Sequence, residues 1–135
     1  MKKHLLMLAV ASCFAVGQAS AMTGDEYKVA KEKVEADYKV DKAACDTLKD
    51  NAKDVCQKEA EGKQKVAKAE LEQMYKPSDS HARKVQEEKI EAAYAVAKEK
   101  CDDQKGDAKD ACQKQAKADE SKGKADLKAM KTSSK

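Results

Sequence analysis

Apolar residues in the first half of the chain recur at intervals of three, four or seven, which is the spacing of one face of an α-helix. The stripe is narrow, and charged residues fill the other faces. Acids often stand four residues before a lysine, as in Glu35–Lys39 and Glu72–Lys76, an order that supports a solvated helix. The pattern predicts an all-α protein with thin apolar contacts between helices. The stripe consists of Tyr27, Ala30, Val34, Tyr38, Cys45 and Leu48.

The chain contains a tandem duplication. When it is aligned with itself at an offset of 56 residues, segment 28–74 matches segment 84–130, with 23 of 47 positions identical and no gaps. Two copies are fewer than the three or so repeats that stacked solenoids usually need. Each unit is therefore expected either to close on itself or to pack against its sister.

Four cysteines are placed symmetrically in the two repeats. Each repeat has two of them with ten residues between, Cys45 with Cys56 and Cys101 with Cys112. An even number of cysteines in an exported chain favours disulfides. Closing a 12-residue loop in this way contributes about 2.8 kcal/mol in the chain-entropy model, which is a large share of the stability of a chain with little core.

A turn signal lies midway between the two cysteines of each repeat. It is Asp50-Asn51 in the first copy and Gly106-Asp107 in the second, residue types that helix ends and N-caps prefer. Breaking the helix at these points places two antiparallel helices side by side and brings the two cysteines face to face. The sequence therefore predicts two tandem, elongated helical hairpins, each closed at its tip by a disulfide.

An unbroken helix through residue 51 would give a different topology. Cys45 and Cys56 would then lie about 16 Å apart on one helix face, too far for a bond between them. The chain would fold only once, at residues 75–80, and would pair Cys45 with Cys112 and Cys56 with Cys101. This single long antiparallel hairpin is the alternative to the two-hairpin fold.

The N-terminus has the three parts of a secretory signal peptide. Two lysines precede an apolar run at residues 5–16, and a small-residue site with Ala19 and Ala21 follows. The run is shorter than the roughly 20 residues of a transmembrane helix. We expect cleavage after Ala21, a chain that begins at Met22 without a transmembrane span, and a periplasmic or secreted location.

A bacterial lipobox at residues 10–13 offers a second interpretation of the N-terminus. In that case Cys13 would carry the lipid and anchor the protein to a membrane. The apolar segment before Cys13 is then short, and the segment after it is apolar rather than a polar tether. The signal peptide without lipidation is therefore the favoured prediction.

Together these signals predict the domain organisation. The signal peptide occupies residues 1–21 and the first hairpin repeat residues 22–76. A linker around the chain's only proline occupies residues 77–81. The second hairpin repeat follows at residues 82–130, and a disordered tail is expected at residues 131–135.

Composition limits the size of the core. The chain after residue 21 has 114 residues, of which 60 are Ala, Glu, Lys, Leu or Arg, a proportion typical of long helices. Val, Ile, Leu and Phe together number only 11. So few aliphatic residues do not fill an ordinary globular core, so the fold is expected to be elongated, stapled or oligomeric. Self-association is compatible with this composition.

The charges argue against nucleic acid as a partner. After residue 21, 26 Lys and Arg face 25 Asp and Glu, and the two signs are interspersed. Nucleic-acid binding by phosphate neutralisation calls for a basic patch or stripe. An envelope component or another protein is the expected kind of partner.

No stretch of the sequence is typical of an active site. A Cys-x-x-Cys redox motif is missing, and ten residues between cysteines is not the spacing of a structural zinc site. The chain after residue 21 has one histidine, His81, near an expected helix start, which is most often a surface residue. We therefore expect no enzyme activity, no cofactor and no metal.

The tips 51–56 and 107–112, the segment 65–72 and the N-terminal leader resemble those of a group of small uncharacterised exported proteins of Gram-negative bacteria. The Ala/Lys/Glu-rich composition is also similar to the helical stalk of the envelope protein TolA. Neither resemblance implies an activity. TolA's membrane anchor and globular end domain have no counterpart here, so its bridging role is not carried over.

These observations favour a non-enzymatic exported helical protein that is a structural or binding component of the cell envelope or periplasm. The alternative is a metal- or thiol-handling periplasmic protein that uses the four cysteines. The two hypotheses differ in the state of the thiols, which are oxidised in the first and reduced or metal-bound in the second.

Overall fold

The computed structural model describes the backbone of residues 21–133 and the side chains of residues 21–130. Within that range the chain forms four α-helices and a short 3₁₀ turn, and no strand is present. The all-α prediction is confirmed. The elements are α1 (Gly24–Cys45), α2 (Asp50–Tyr75), α3 (Asp79–Lys100), the 3₁₀ turn (Cys101–Asp103) and α4 (Gly106–Ser133).

Several predictions at the ends of the chain fall outside this range. Most of the predicted signal peptide lies there, including Ala19 and the lipobox residue Cys13; only Ala21 of that segment is described. At the other end, α4 continues to Ser133, three residues into the segment that was predicted to be a disordered tail.

A capping box sets the start of α1. The Thr23 hydroxyl oxygen accepts the backbone N–H of Glu26 at 3.3 Å, and the Glu26 carboxylate accepts the backbone N–H of Thr23 at 2.8 Å. The two bonds satisfy N–H groups that the first turn of a helix leaves unpaired. The hydrogen bond from the Thr23 backbone also lowers the pKa of the Glu26 carboxyl group.

The helices pack in a row. Each helix contacts its neighbours in the chain, α1 with α2, α2 with α3 and α3 with α4, and the contact between α2 and α3 is the most extensive. Among the described residues, α1 and α4 share no extensive contact. The packing is consistent with two hairpins, α1–α2 and α3–α4, which lie side by side. Since neighbouring helices are antiparallel, both hairpin tips lie on the same side of the row, at the same end of the helices.

Position in the row decides which repeat positions are buried. Leu71 of α2, between α1 and α3, is 3% exposed, whereas its repeat equivalent Leu127 of the edge helix α4 is only half-buried. Val85 of α3 is 7% exposed, whereas its equivalent Val29 of the other edge helix is 65% exposed. The duplicated sequence thus occupies two unlike environments, the centre and the edges of the row.

Small residues allow α2 and α3 to approach closely. A Cβ atom added to Gly62 would lie 2.7 Å from the Cβ of Ala92, closer than two such atoms can come. The methyl group of Ala92 therefore packs directly on the α2 backbone at Gly62, where there is no side chain. The core is thin, as the composition predicts; its buried apolar residues in the described range are Cys45, Ala60, Ala69, Leu71, Val85, Cys101 and Ala116.

The connection between the hairpins is shorter than the predicted linker 77–81. Helix α2 ends at Tyr75 and α3 already begins at Asp79. Ser78 is the N-cap, and its hydroxyl oxygen accepts the backbone N–H of His81 at 3.0 Å. A serine directly after the proline can cap the next helix, so the helix starts earlier than a boundary drawn after the whole Ser/Asp segment.

Candidate functional site: the two stapled tips

Each hairpin is closed at its tip by a disulfide. We define tip 1 as residues 45–56 and tip 2 as residues 101–112. Cys45 is bonded to Cys56 and Cys101 to Cys112, with Cα atoms 5.5 and 5.6 Å apart. Cys45 and Cys101 are almost completely buried, at 1% and 0% exposure. The four cysteines singled out from the sequence are therefore held in two local bonds that join the helices of one hairpin.

The turn in each tip lies earlier than the sequence predicted. Helix α1 ends at Cys45 and α2 begins at Asp50, so the predicted break between Asp50 and Asn51 falls inside the first turn of α2. The N-cap of α2 is Lys49, which makes no side-chain capping bond, rather than a residue of the Asp50-Asn51 signal. The reason for the earlier turn is the left-handed backbone conformation of the first residue of α2 and of α4.

A left-handed residue turns the chain in both tips. Asp50 has a φ of +52°, and its repeat equivalent Gly106 has a φ of +57°. Glycine adopts this region without a steric penalty, whereas a residue with a Cβ is strained there, aspartate and asparagine less than most. The two tips thus share one backbone shape with different residues at its critical position.

An ion pair crosses each tip beside the disulfide. Lys53 lies 3.0 Å from Asp46, and the repeat-equivalent Lys109 lies 2.8 Å from Asp102. The hydrogen bond from Lys109 lowers the pKa of the Asp102 carboxyl group, and the same bond raises the pKa of Lys109. The ion pair thus recurs in both repeats, and in each it joins the turn to the first residues of the hairpin's second helix.

One side chain links the two tips. The Asn51 Nδ2 group at the start of α2 donates a hydrogen bond to the backbone carbonyl of Glu99 at 3.0 Å, in the last turn of α3. A carbonyl in a final helical turn lacks its regular partner four residues on, and this bond gives it a side-chain donor. The contact was missed from the sequence, since it depends on α2 lying next to α3. It helps to fix the relative positions of the tips.

Ion pairs between helices continue below the tips. Within the first hairpin, Glu35 of α1 accepts from Lys68 of α2 at 2.5 Å and from Gln64 at 2.8 Å. The hydrogen bond from Lys68 is the main cause of the lowered pKa of the Glu35 carboxyl group. The equivalent pair in the second hairpin, Lys124 with Glu91, is retained at 3.5 Å.

A shallow groove lies between α3 and α4. Its volume is about 350 Å³, and Ile90, Tyr94 and Ala116 are among the residues that line it. At its edge, Glu120 is buried and bonded to Lys117 at 2.7 Å and to Lys124 at 2.8 Å, which lowers the pKa of its carboxyl group. The charge of Glu120 is therefore paired with lysines of its own helix.

At the matching place in the first hairpin, an ion pair bridges the two helices. Lys63 of α2 reaches Asp41 of α1 at 2.8 Å, and this contact raises the pKa of Lys63. The repeat equivalents are Asp119 and Ala97, which do not form such a pair. The second hairpin therefore has no equivalent of this bridge between its two helices.

Two of the four tyrosines, Tyr27 and Tyr75, pack together at the end of the helices opposite to the tips. The rings of Tyr27 and Tyr75 stack with centroids 4.4 Å apart, and the Tyr27 hydroxyl donates to Glu72. That hydrogen bond raises the pKa of Tyr27. Tyr38 and Tyr94, which recur in the repeats, are half-buried with a lysine ammonium over each ring.

His81 fastens the connection between the hairpins. Its Nδ1–H donates to the backbone carbonyl of Lys76 at 2.6 Å, since a carbonyl oxygen can only accept. The ring thus spans Pro77 and joins the end of α2 to the start of α3. This contact gives the single histidine of the described segment a structural role.

In the part of the chain with described side chains, no group of three His, Cys, Asp or Glu residues is arranged to hold a metal ion. None of the helices within residues 21–133 combines the length and the apolar character needed to cross a membrane. No family model, curated protein or solved structure matches the sequence or the fold.

Proposed function

We propose that the protein is exported and is a non-enzymatic structural or binding component of the bacterial cell envelope or periplasm. The leader at residues 1–21 would direct export, with cleavage between Ala21 and Met22. The two disulfides would form in the oxidising compartment that the chain then enters. The partner would be a protein or another component of the envelope.

The observation that carries this proposal is the use of all four cysteines in local staples. Each disulfide joins two adjacent helices of a fold whose apolar core is thin. Such bonds stabilise small exported domains that lack a sufficient hydrophobic core. Export to an oxidising compartment would thus allow the disulfides to form, and the disulfides would stabilise a fold with a thin core.

The charged groups support a structural role in the same way. The carboxyl groups of Glu35, Asp102 and Glu120 have lowered pKa values because lysines bond to them. The pair of Glu35 joins α1 to α2, the pair of Asp102 crosses tip 2, and the two pairs of Glu120 lie within α4, so the groups are spread over the fold. Catalytic carboxyl groups are instead typically tuned toward the operating pH and gathered in one cleft.

Peptide mapping under non-reducing conditions tests the proposal. The full chain is expressed in a Gram-negative host, free thiols are alkylated before lysis, and the exported fraction is analysed by intact mass and peptide mapping. The proposal predicts a chain that begins at Met22, with Cys45 linked to Cys56 and Cys101 linked to Cys112.

Other results would overturn defined parts of the proposal. Four alkylated thiols would contradict structural cysteines and support a metal- or thiol-handling protein. A chain that starts at a lipidated Cys13 would replace a free periplasmic protein with an anchored lipoprotein. Retention of the leader on a cytoplasmic protein would contradict export.

A further inference from the structure

The outer face of α1 is a sequence copy of the α3 face that packs against α2. The α3 face consists of Val85, Lys89, Ala92 and Val96, which recur at intervals of four, three and four and therefore lie on one side of the helix. Lys89 pairs with Glu70 of α2 at 2.8 Å, and Ala92 lies against Gly62 of α2, so this side faces α2.

On α1, no helix within residues 21–133 packs extensively against the equivalent residues. They are identical at all four positions: Val29, Lys33, Ala36 and Val40. Val29 and Val40 are 65% and 68% exposed, although Val85 is 7% exposed. The side chains that bury against α2 in the second repeat thus form an exposed apolar strip at the edge of the row in the first repeat.

The opposite edge of the row presents a copy of the surface that receives α3. On α2 this surface includes Gly62, Ala69 and Glu70. The equivalents on α4 are Ala118, Ala125 and Asp126, and all three are exposed. The outer faces of α4 and α1 therefore correspond in sequence to the α2 and α3 faces that pack together in the centre of the row.

We propose that copies of this chain associate head to tail, with the outer face of α1 in one copy packed on the outer face of α4 in the next. The contact repeats the internal packing of α3 on α2. In the same register Asp126 pairs with Lys33 of the next copy, as Glu70 pairs with Lys89 within the chain. Ala125 and Val29 are the repeat equivalents of Ala69 and Val85, which are both buried within the chain.

Three differences between the edges and the central interface make this contact weaker than the internal one. Ala118 replaces Gly62, so a methyl group keeps the helices farther apart. Lys122 replaces Val66, which removes an apolar side chain. The internal pair of Lys100 with Glu59, 3.2 Å apart, has Ala44 and Gln115 at the equivalent positions.

The geometry has a consequence for the form of the assembly. The two surfaces in the contact are different, so each added copy leaves one free α1 edge and one free α4 edge. Such heterologous contacts produce open chains or rings rather than closed two-fold dimers. The assembly would extend the row of helices with the tips of all copies along one side. This inference does not depend on where the protein resides.

Charge reversal at the two edges tests the proposal. Lys33→Glu places an acid opposite Asp126, and Asp126→Lys places a base opposite Lys33, so each variant alone is expected to associate roughly fivefold more weakly than the wild type. In an equimolar mixture the two variants can alternate, so that contacts with the native pair of charges follow contacts with the exchanged pair. The mixture is therefore expected to associate more strongly than either variant alone and close to the wild type. Sedimentation velocity over a range of concentrations measures this, with the disulfides intact.

Lys28→Glu is the matched control. It makes the same change in charge on α1, at an exposed position on a neighbouring face, and it is expected to leave association unchanged. Ala118→Gly sharpens the test further, because restoring the small residue of the central interface is expected to strengthen association, although glycine weakens the helix itself.

Three outcomes would overturn the proposal. The first is a wild-type protein that stays monomeric at every concentration. The second is association that Lys33→Glu weakens and Asp126→Lys does not, since this would indicate a symmetric contact between two α1 helices. The third is a mixture of the two variants that associates no better than either variant alone.

Discussion

The tips of the two hairpins contain the same parts but differ at the residue that turns the chain. Both have a buried first cysteine, a disulfide to the second helix and an Asp–Lys pair across the turn. The left-handed position is Asp50 in tip 1 and Gly106 in tip 2. Tip 1 therefore keeps the shape of the turn with a residue that is strained in it, and its other contacts must hold that residue in place.

A second comparison concerns the sides of the hairpins. Val29 and Val85 are equivalent residues, and only the second is covered by a neighbouring helix. The local structure of the repeats is the same, so the difference comes from their places in the row. In this protein, local sequence determines helices and tips, whereas burial depends on which hairpin comes next to which.

Removal of the staples should have the largest effect. The double variants Cys45→Ala with Cys56→Ala and Cys101→Ala with Cys112→Ala are each expected to lose about 3 kcal/mol of stability, since each opens a 12-residue loop. Urea unfolding followed by circular dichroism measures the loss. The two variants should agree within about 1 kcal/mol, because the loops are equally long. A double variant as stable as the wild type would show that its staple does not stabilise the fold.

Gly62→Ala tests the close approach in the centre of the row. The new methyl group would lie 2.7 Å from the Cβ of Ala92, and neither backbone can move away freely. We expect a loss of about 1–3 kcal/mol from overpacking, despite the better helix propensity of alanine. The comparison at the edge is Ala118→Gly, expected to lose only about 1 kcal/mol through helix propensity. Gly62→Ala with unchanged or higher stability would contradict the packing of α2 on α3.

Exchanges at the left-handed positions test the difference between the tips. Asp50→Gly is expected to stabilise the protein by about 0.5–1 kcal/mol, and Gly106→Ala to destabilise it by about 1–2 kcal/mol. A Cβ atom at Gly106 would meet nothing within 4 Å, so the second effect comes from the backbone alone. Asp50→Asn is the control, because asparagine tolerates this conformation and removes only the charge. Equal thermal midpoints for Asp50→Gly and the wild type would contradict strain at Asp50.

The pH dependence should be the smallest effect near neutrality. The carboxyl groups of Glu35, Asp102 and Glu120 have pKa values below their ordinary range because lysines bond to them. Their stabilising contribution is full above the unfolded-state values of about 4, and it is lost as the pH falls through the lower folded-state values. Thermal midpoints should therefore be flat from about pH 5 to 9 and fall below about pH 4. The thermal midpoint of a Glu120→Gln variant should fall less steeply in acid than that of the wild type. An equally steep fall would contradict a stabilising role for the Glu120 carboxylate.

The helices and the paired cysteines could be predicted from the sequence, since both depend on local signals that occur twice. Helical spacing, acid–lysine pairs and a ten-residue gap between cysteines are all read within one repeat. The turn was placed too late in both tips by the same step, because the left-handed residues Asp50 and Gly106 already begin the second helix of each hairpin.

Contacts between the hairpins could not be predicted in the same way. The bond from Asn51 to the Glu99 carbonyl and the approach of Gly62 to Ala92 both require α2 to lie beside α3. Nothing in the periodicity of either repeat states which hairpin faces meet. The presence of Gly62 inside a predicted helix could have suggested a close helix contact, since glycine is otherwise unfavourable inside a helix.

The two hairpins lie side by side, with both tips at the same end of the helices, and this arrangement is open to a direct test. It can be tested by the distance between spin labels at Leu48 and Gln104, equivalent exposed residues of the two tips. The labels are attached through a genetically encoded ketone-bearing residue so that the four cysteines stay paired, and labelled protein is diluted with unlabelled protein. Pulsed electron paramagnetic resonance then reports the distance within one chain.

The side-by-side row predicts a separation of two helix spacings, about 16–20 Å between backbones. Hairpins with their tips at opposite ends would separate the labels by at least the length of α2, about 39 Å for its 26 residues. A distribution centred near the shorter distance would support the row. A distribution centred near 40 Å or beyond would contradict it, and the head-to-tail contact derived from the central interface would be overturned as well.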